Sequence, residues 1–592
     1  MSKTLLLSGD EAVARGAYEA GAMVASAYPG TPSTEILEAI ARYPEVYAEW
    51  SVNEKVALDL AFGASLAGVR ALCSMKHVGV NVASDALMTI SYTGVGAGLV
   101  LVTADDPGMH SSQNEQDNRN YAKFASVPML EPSDSAECKE FTKVAYDISE
   151  RFDTIVMVRL TTRTAHSRGI VELGERQERQ RKGVKIEPAK YVMMPAFARP
   201  RHPIVLERLK ALKRFAEETD LNRIEEGDGS LGIIASGMAY KYAKELVPHA
   251  SFLKLGLVYP LPIEKIRAFA SSVKRLLIIE ELDPFHEQEL RANGIDAEGK
   301  KFFPSVGEFD IDVVEAGLIK AGVLPERHEE GLKTSDISVV PRPPVLCSGC
   351  GHRQVFYALK RLNALVFGDI GCYTLGALPP LSSLHTTISM GSSISNAMGY
   401  IKAHGPGKNV VAVIGDSTFM HAGIPALLNV VYNDAPLTVL ILDNAAVGMT
   451  GGQVTPGTGI TAQGEKTRAV DLASICRGLG VERVFEVDAY DYWATFKLIK
   501  RELNPDRPTV IIARHPCILE YKEALPPYTV ISEKCTGCKV CLVIGCPPIT
   551  LSDTDFTEDG KARAVIDPTT CIGCALCAYV CPEPGCIIPI GG

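Results

Sequence analysis

The sequence predicts a multi-domain α/β protein built on doubly wound parallel sheets and closed by a small α+β module at its C-terminal end. Three observations lead there. The chain has 592 residues, more than one hydrophobic core can organise. An apolar run at 409–414 (NVVAVI) is followed by a helical stretch at 420–432 and a second apolar run at 437–442. Eight of the sixteen cysteines crowd between Cys535 and Cys581.

Length and composition bound the class first. Hydrophobic residues make up 46% and charged residues 22%, an ordinary globular balance. A net charge of −10 carries no basic footprint for nucleic acid. The acidic excess either keeps the surface soluble or favours a basic partner. The run Leu5, Leu6, Leu7 is too short for a signal-peptide core and is followed by Asp10 and Glu11. Nowhere do about 18 apolar residues run together, so no membrane span is expected. A cytoplasmic protein is the expectation.

The strand–helix–strand unit carries the first chemistry. Its first apolar run ends at Gly415-Asp416-Ser417 and its second at Asp443-Asn444. In a β-α-β unit both ends fall on the carboxyl edge of neighbouring parallel strands, where open α/β sheets bind ligands. Asp416 and Asn444 offer hard oxygens of the kind that hold Mg2+ together with phosphate. Glycines beside them let backbone amides approach diphosphate oxygens, and helix N-termini favour such anions. The alternative is a merely structural loop.

The cysteine tail carries the second. Cys535, Cys538, Cys541 and Cys546 form C-x2-C-x2-C-x4-C-P; Cys571, Cys574, Cys577 and Cys581 form C-x2-C-x2-C-x3-C-P. The latter is the bacterial ferredoxin run, in which three thiolates grip one [4Fe–4S] cubane and the fourth serves the other cluster. Crossed ligation pairs Cys535, Cys538 and Cys541 with Cys581, and Cys571, Cys574 and Cys577 with Cys546. The extra residue before Cys546 departs from the strict spacing. A zinc ribbon, with four thiolates per metal, is the competing reading. Cys586 is left as a spare thiol. Two clusters in one module imply an electron wire with a source upstream.

These motifs resemble those of the 2-oxoacid:ferredoxin oxidoreductases. Gly415-Asp416-Ser417 followed by Asn444 resembles the thiamine diphosphate signature, with Ser417 in place of its last glycine, and Thr450-Gly451-Gly452-Gln453 matches a TGGQ that follows this site in the family. The resemblance implies thiamine diphosphate bound through Mg2+, with the Ala446 carbonyl as the third protein ligand. It also implies a proximal [4Fe–4S] cluster on Cys347, Cys350, Cys372 and Cys517, close to thiamine. Gly371 is expected beside the cofactor, and His352 either touches it or orients a backbone turn.

In the N-terminal half, the segment at 28–35 (YPGTPSTE) resembles the family's YPxTPS motif. Thr31 reads as an N-cap with Pro32 at the first helical position, and such a helix start suits a 2-oxoacid carboxylate. Glu54 matches the glutamate that hydrogen-bonds the thiamine pyrimidine; the alternative is a surface residue at a helix start. A loop after the apolar strand 99–103 contains His110, which either contacts substrate or packs the loop.

The resemblance covers almost the whole chain and orders it as a pyrimidine domain (1–190), a transketolase C-terminal-like domain (191–335), a diphosphate domain (336–525) and a 2[4Fe–4S] ferredoxin-like domain (526–592). The stretch 170–230 is rich in charge, with a run at 176–182, and prolines from Pro341 to Pro344 and at Pro526-Pro527 mark linkers. This order is that of the indolepyruvate-type large subunits, in which the gamma-type domain is a separate small beta subunit. The implied activity is oxidative decarboxylation of arylpyruvates with coenzyme A, electrons leaving through [4Fe–4S] clusters to ferredoxin. The implied assembly is a heterodimer or a dimer of heterodimers, with no nucleic acid and no membrane. Competing readings are another 2-oxoacid, a non-oxidative thiamine decarboxylase, and a pure electron-transfer subunit.

Overall fold

A computed structural model describes residues 3–179, 183, 187–326, 343–522 and 525–591. The chain divides into two compact units, Met1–Lys333 and Thr334–Gly592. The expected boundary at 335/336, the start of the proline linker at Pro341, and the last three residues of the charged run at 176–182 lie outside the described residues.

In the first unit seven strands pair in the order Leu257–Tyr259, Met129–Leu130, Val156–Thr161, Leu99–Asp105, Ala71–Lys76, Val24–Ala27, Tyr47–Trp50. Only the first pairing is antiparallel. Ala71–Lys76 and Leu99–Asp105 are buried throughout, as strands covered on both faces are. The strand expected at 99–103 thus runs two residues further and ends on Asp105. The antiparallel edge strand comes from far along the chain, between two strands of a second sheet ordered Leu276–Ile279, Gly232–Ala235, Ser251–Lys254, Arg223–Glu225. One apolar core spans both regions, joining Leu99, Leu101 and Met157 to Ile234, Leu253 and Leu255. A buried charge network crosses the same seam. Arg119 donates to Asp117 and Glu280, and Arg159 donates to Asp105 and pairs with Glu131. Breaking one partner of such a buried pair costs about 3–5 kcal/mol.

In the second unit five strands, all parallel, run in the order Leu365–Phe367, Val410–Gly415, Thr438–Asp443, Thr509–Arg514, Arg483–Asp488. Both strands of the expected β-α-β unit form, each one residue later than its apolar run suggests. The helix between them starts at Asp416, passes through a π-helical turn at Phe419–Gly423 and continues as Ile424–Tyr432. Pro425 is the second residue after that turn, and it has no N–H to return to the carbonyl four residues back.

The tail adds two antiparallel pairs, Tyr528–Val530 with Ile587–Pro589 and Ile549–Phe556 with Ala562–Ile566. It shares a core with the sheet's helices: Cys541, Ile544 and Leu576 cluster with Val355, Phe356 and Leu359. Buried Arg353 pins this junction by donating to the carbonyls of Ile544, Gly545 and Leu346. Among the described residues, no helix is long and apolar enough to cross a membrane.

Candidate active site and metal centres

The carboxyl edge of the five-stranded sheet gathers oxygens. Asp416 opens the helix after strand Val410–Gly415 and is buried. The Asn444 carboxamide atom facing it lies 3.1 Å from Asp416 Oδ1 and 2.9 Å from the Ala446 carbonyl. As oxygen, that atom completes a triad of hard ligands suited to Mg2+; turned over, its NH2 donates to both oxygens. Ala445 holds a left-handed backbone (φ 55°), unusual for a residue with a Cβ, between the two. Burial, and then the neighbouring Asp443, push the Asp416 carboxyl up to about 8, the response of a carboxylate without a counter-charge. Asp416, Asp443 and Ala445 open on a cavity of about 220 Å³ lined also by Met420, Arg514 and His515.

The TGGQ loop closes on itself beside this triad. Thr450 Oγ1 donates to Gln453 Oε1, Gln453 Nε2 donates back to the Thr450 carbonyl at 3.0 Å, and Gly452 N donates to the Val447 carbonyl at 3.1 Å. Gly452 is left-handed (φ 87°), and a Cβ there would stand 2.1 Å from the Glu520 carboxylate. Ser417 follows Asp416 in the same helical start.

Four thiols converge next to the oxygens. A Cβ at Gly448 would stand 3.4 Å from Asn444 Nδ2, 3.4 Å from Cys372 Sγ and 4.0 Å from Cys517 Sγ. Cys372 is in electrostatic reach of Cys517 and Cys347, and Cys350 in reach of Cys372 and Cys347. Cys517 N donates to the Asn444 carbonyl at 2.9 Å, tying the thiol set to the oxygen triad. Burial pushes Cys350 up to about 12 and Cys372 to about 11. His352 is buried, and burial lowers it to about 4. Its ring meets Tyr373 edge-on at 6.0 Å, and Tyr373 donates to the Ile370 carbonyl, so His352 props the turn that holds Gly371 and Cys372. A Cβ at Gly371 would strike Tyr373 at 2.4 Å.

In the tail, the cysteines line two cavities. One is bordered by Cys535, Cys538, Cys541 and Cys581; the other by Cys546, Cys571, Cys574 and Cys577. The grouping is the crossed one. Gly537 (φ 62°) and Gly573 (φ 82°) turn the backbone inside the two runs. Among the described residues no three of these thiols lie within 4.8 Å of one another. Four thiolates on one zinc, each at about 2.3 Å, would stand roughly 3.8 Å apart. Cys586, read from sequence as spare, lines the first cavity and is buried.

The first unit has its own cluster at a sheet edge. Glu54 opens helix Glu54–Leu66 behind the N-cap Asn53, whose side chain accepts from Val56 N. It is 5% exposed, which excludes the surface alternative. A Cβ at Gly79 would lie 2.7 Å from Glu54 Cγ, so glycine there makes room for this carboxyl.

Thr31 requires a correction: it is not an N-cap. The helix begins at Thr34, with Ser33 as N-cap. Residues 30–33 form a turn closed by Ser33 N to the Gly30 carbonyl at 2.9 Å, and Thr34 Oγ1 accepts from Gly30 N at 3.0 Å. That turn occupies the backbone a helix starting at Pro32 would need.

The Thr31 carbonyl instead accepts from Ser111 Oγ at 3.2 Å, in the loop that holds His110. His110 itself turns away, its Nε2 3.5 Å from Glu308 Oε2. Lys76, which was not read from the sequence, organises this corner together with Asp106 and Ser111 of the same polar loop as His110. Buried Lys76 donates to Ser111 O (2.7 Å) and Oγ (3.0 Å) and lies 4.0 Å from Asp106, whose Oδ2 accepts from Ser111 N at 2.8 Å. Burial lowers the Lys76 ammonium to about 8. The available signal was a lysine ending an otherwise uncharged strand, Ala71–Lys76.

Three family models match this chain. They are the thiamine-diphosphate-binding part of pyruvate flavodoxin/ferredoxin oxidoreductases over residues 15–219, the C-terminal TPP-binding domain of thiamine pyrophosphate enzymes over 369–513, and a 4Fe-4S dicluster domain over 534–584. The chain is 43% identical to the indolepyruvate oxidoreductase subunit IorA of Archaeoglobus fulgidus, across 98% of this chain and 96% of that protein. It is 41% identical to the subunit of the same name from Pyrococcus horikoshii, over 98% and 96%, and 42% identical to that of Methanothermobacter marburgensis, over 99% and 97%. At this identity over nearly its full length, the chain belongs to the family of indolepyruvate oxidoreductase IorA subunits.

Proposed function

We propose that this chain oxidatively decarboxylates arylpyruvates, indolepyruvate among them, transferring the acyl group to coenzyme A and the electrons through [4Fe–4S] clusters to ferredoxin. The observation that supports this most is the meeting, within one unit, of the Asp416–Asn444–Ala446 oxygens with the Cys372 and Cys517 thiols around Gly448, with Cys347 and Cys350 in electrostatic reach of Cys372. A decarboxylase that releases aldehyde has no use for thiols there. An electron carrier has no use for the oxygens.

When bound, thiamine diphosphate supplies a carbanion nucleophile and an electron sink, and the clusters supply one-electron acceptors. The residues do the rest. Asp416, Asn444 and the Ala446 carbonyl hold Mg2+ on the diphosphate, with Gly415 and Ser417 at the turn that meets it. Glu54, buried at a helix start, would hydrogen-bond the aminopyrimidine. The corner of Thr31, Lys76 and Ser111 positions the 2-oxoacid carboxylate, and His110 remains a substrate contact only if its loop turns it from Glu308. Cys347, Cys350, Cys372 and Cys517 hold the proximal cluster; the two tail sets hold the others. A small gamma-type beta subunit completes the enzyme, in the cytoplasm.

The test is anaerobic co-expression with the small subunit, metal and thiamine analysis, and a 2-oxoacid panel. Ferredoxin or dye reduction that requires both an arylpyruvate and coenzyme A is expected, with about twelve irons per chain for three clusters and about eight for two. Aldehyde release independent of coenzyme A would sink this reading.

A further inference from the structure

At the second residue of helix Gly9–Glu19, Asp10 is fully buried, and neither carboxylate oxygen meets a hydrogen-bond donor. It faces Glu35, in the first turn of helix Thr34–Ile40, and His166, which ends helix Thr162–His166. One ligand atom from each of the three lies within 4.8 Å of the others. The segments of Asp10 and His166 are held tightly together: a Cβ at Gly9 would stand 2.0 Å from the Thr164 carbonyl.

Two carboxyl groups that meet away from water need a proton or a cation between them. The position of His166 suits the cation. Its Nε2 stands 3.8 Å from Glu35 Oε2, the separation of a loose ion pair when the imidazole is protonated and, when it is neutral, within the spacing of two ligands that flank one ion at about 2.0–2.2 Å each.

We propose that Asp10, Glu35 and His166 hold a divalent transition-metal ion of the Mn2+ or Zn2+ kind. One imidazole nitrogen with two carboxylates is a donor set that suits these ions better than Mg2+, which prefers oxygen throughout. Asp10 is the inner ligand. Glu35 and His166, with side chains 44% and 40% exposed, leave an entry path and room for water. The ion pins three helix ends of the first unit, apart from the thiamine and cluster ligands described above.

The test uses holoenzyme saturated with Mg2+ and thiamine diphosphate, titrated with Mn2+ while the free ion is read by EPR. One further Mn2+ per chain is expected. Its affinity falls at least about tenfold in His166→Ala and in Asp10→Asn, and the thermal midpoint rises with Mn2+ in the unaltered protein alone. Equal uptake by all three proteins, or none by the unaltered one, overturns the proposal. So does an Asp10→Asn protein that is more stable and indifferent to Mn2+, the mark of a shared proton. If Asp10→Asn fails to fold, the half-exposed His166→Ala carries the comparison.

Discussion

The two parallel sheets gather their polar groups at loops following the strands, but in opposite electrical styles. Around Lys76 in the seven-stranded sheet, donors and acceptors are already matched: the ammonium donates to Ser111, and Asp106 accepts from Ser111 N. Beyond the five-stranded sheet, Asp416 and the Ala446 carbonyl converge on the Asn444 carboxamide beside a set of thiols, and they are matched only while its NH2 faces them; turned the other way, three oxygens meet. Each buried polar atom left unmatched costs about 1–3 kcal/mol. A matched corner is ready for an organic ligand that exchanges hydrogen bonds. An unmatched one is shaped for positive charge.

Removing a metal ligand from the second unit, in the cysteine tail or beside the five-stranded sheet, breaks the comparison most severely. Cys581→Ala is expected to lose about four irons per chain and all ferredoxin reduction while thiamine diphosphate binding persists; unchanged iron would refute the crossed assignment. Next, Asp416→Ala should release thiamine diphosphate on gel filtration and lower turnover by more than about 100-fold, with its iron intact.

Glu54 sharpens the contrast, because it is a buried carboxyl proposed to meet the organic cofactor directly and not through a metal. Glu54→Gln should lower kcat about 100-fold. Gly79→Ala, which only crowds Glu54, should lower kcat about tenfold with little change in iron or bound thiamine. An unaffected Gly79→Ala enzyme would show that the Glu54 position is not critical.

The smallest effect is expected at the matched corner. Lys76→Met should raise KM for the 2-oxoacid a few-fold, about 1 kcal/mol of lost binding, without touching metal content. In the unaltered enzyme kcat/KM should fall as pH rises through about 8, where the ammonium discharges. Stability runs the other way. The native Lys76 releases its proton near 8 rather than 10.5, so between those values the unfolded chain binds more protons and native stability rises with pH. Stability flat across that window in wild type relative to Lys76→Met would remove Lys76 from the argument.

What could be read ahead of the fold had short reach. Asp416 and Asn444 each end a strand whose apolar run is visible locally, and the β-α-β rule then puts both on one edge. Cysteines two residues apart must share a turn. Thr31 misled because the same residues that can cap a helix can also close a turn. The Gly30–Ser33 hydrogen bond settled that choice in favour of the turn, and the helix waited until Thr34.

The sequence by itself determined the parallel α/β class, the cysteine-rich module and the residues spaced for metal, because spacing along a strand or within a turn is a property of a few neighbouring peptides. Only the tertiary structure decided that Lys76 would meet Ser111, that strand Leu257–Tyr259 would complete a distant sheet, and that Asp10, Glu35 and His166 would converge. Those contacts join residues tens to more than a hundred positions apart. Their loop closure is driven by burial of a common core, and no local pattern records which partners that burial selects.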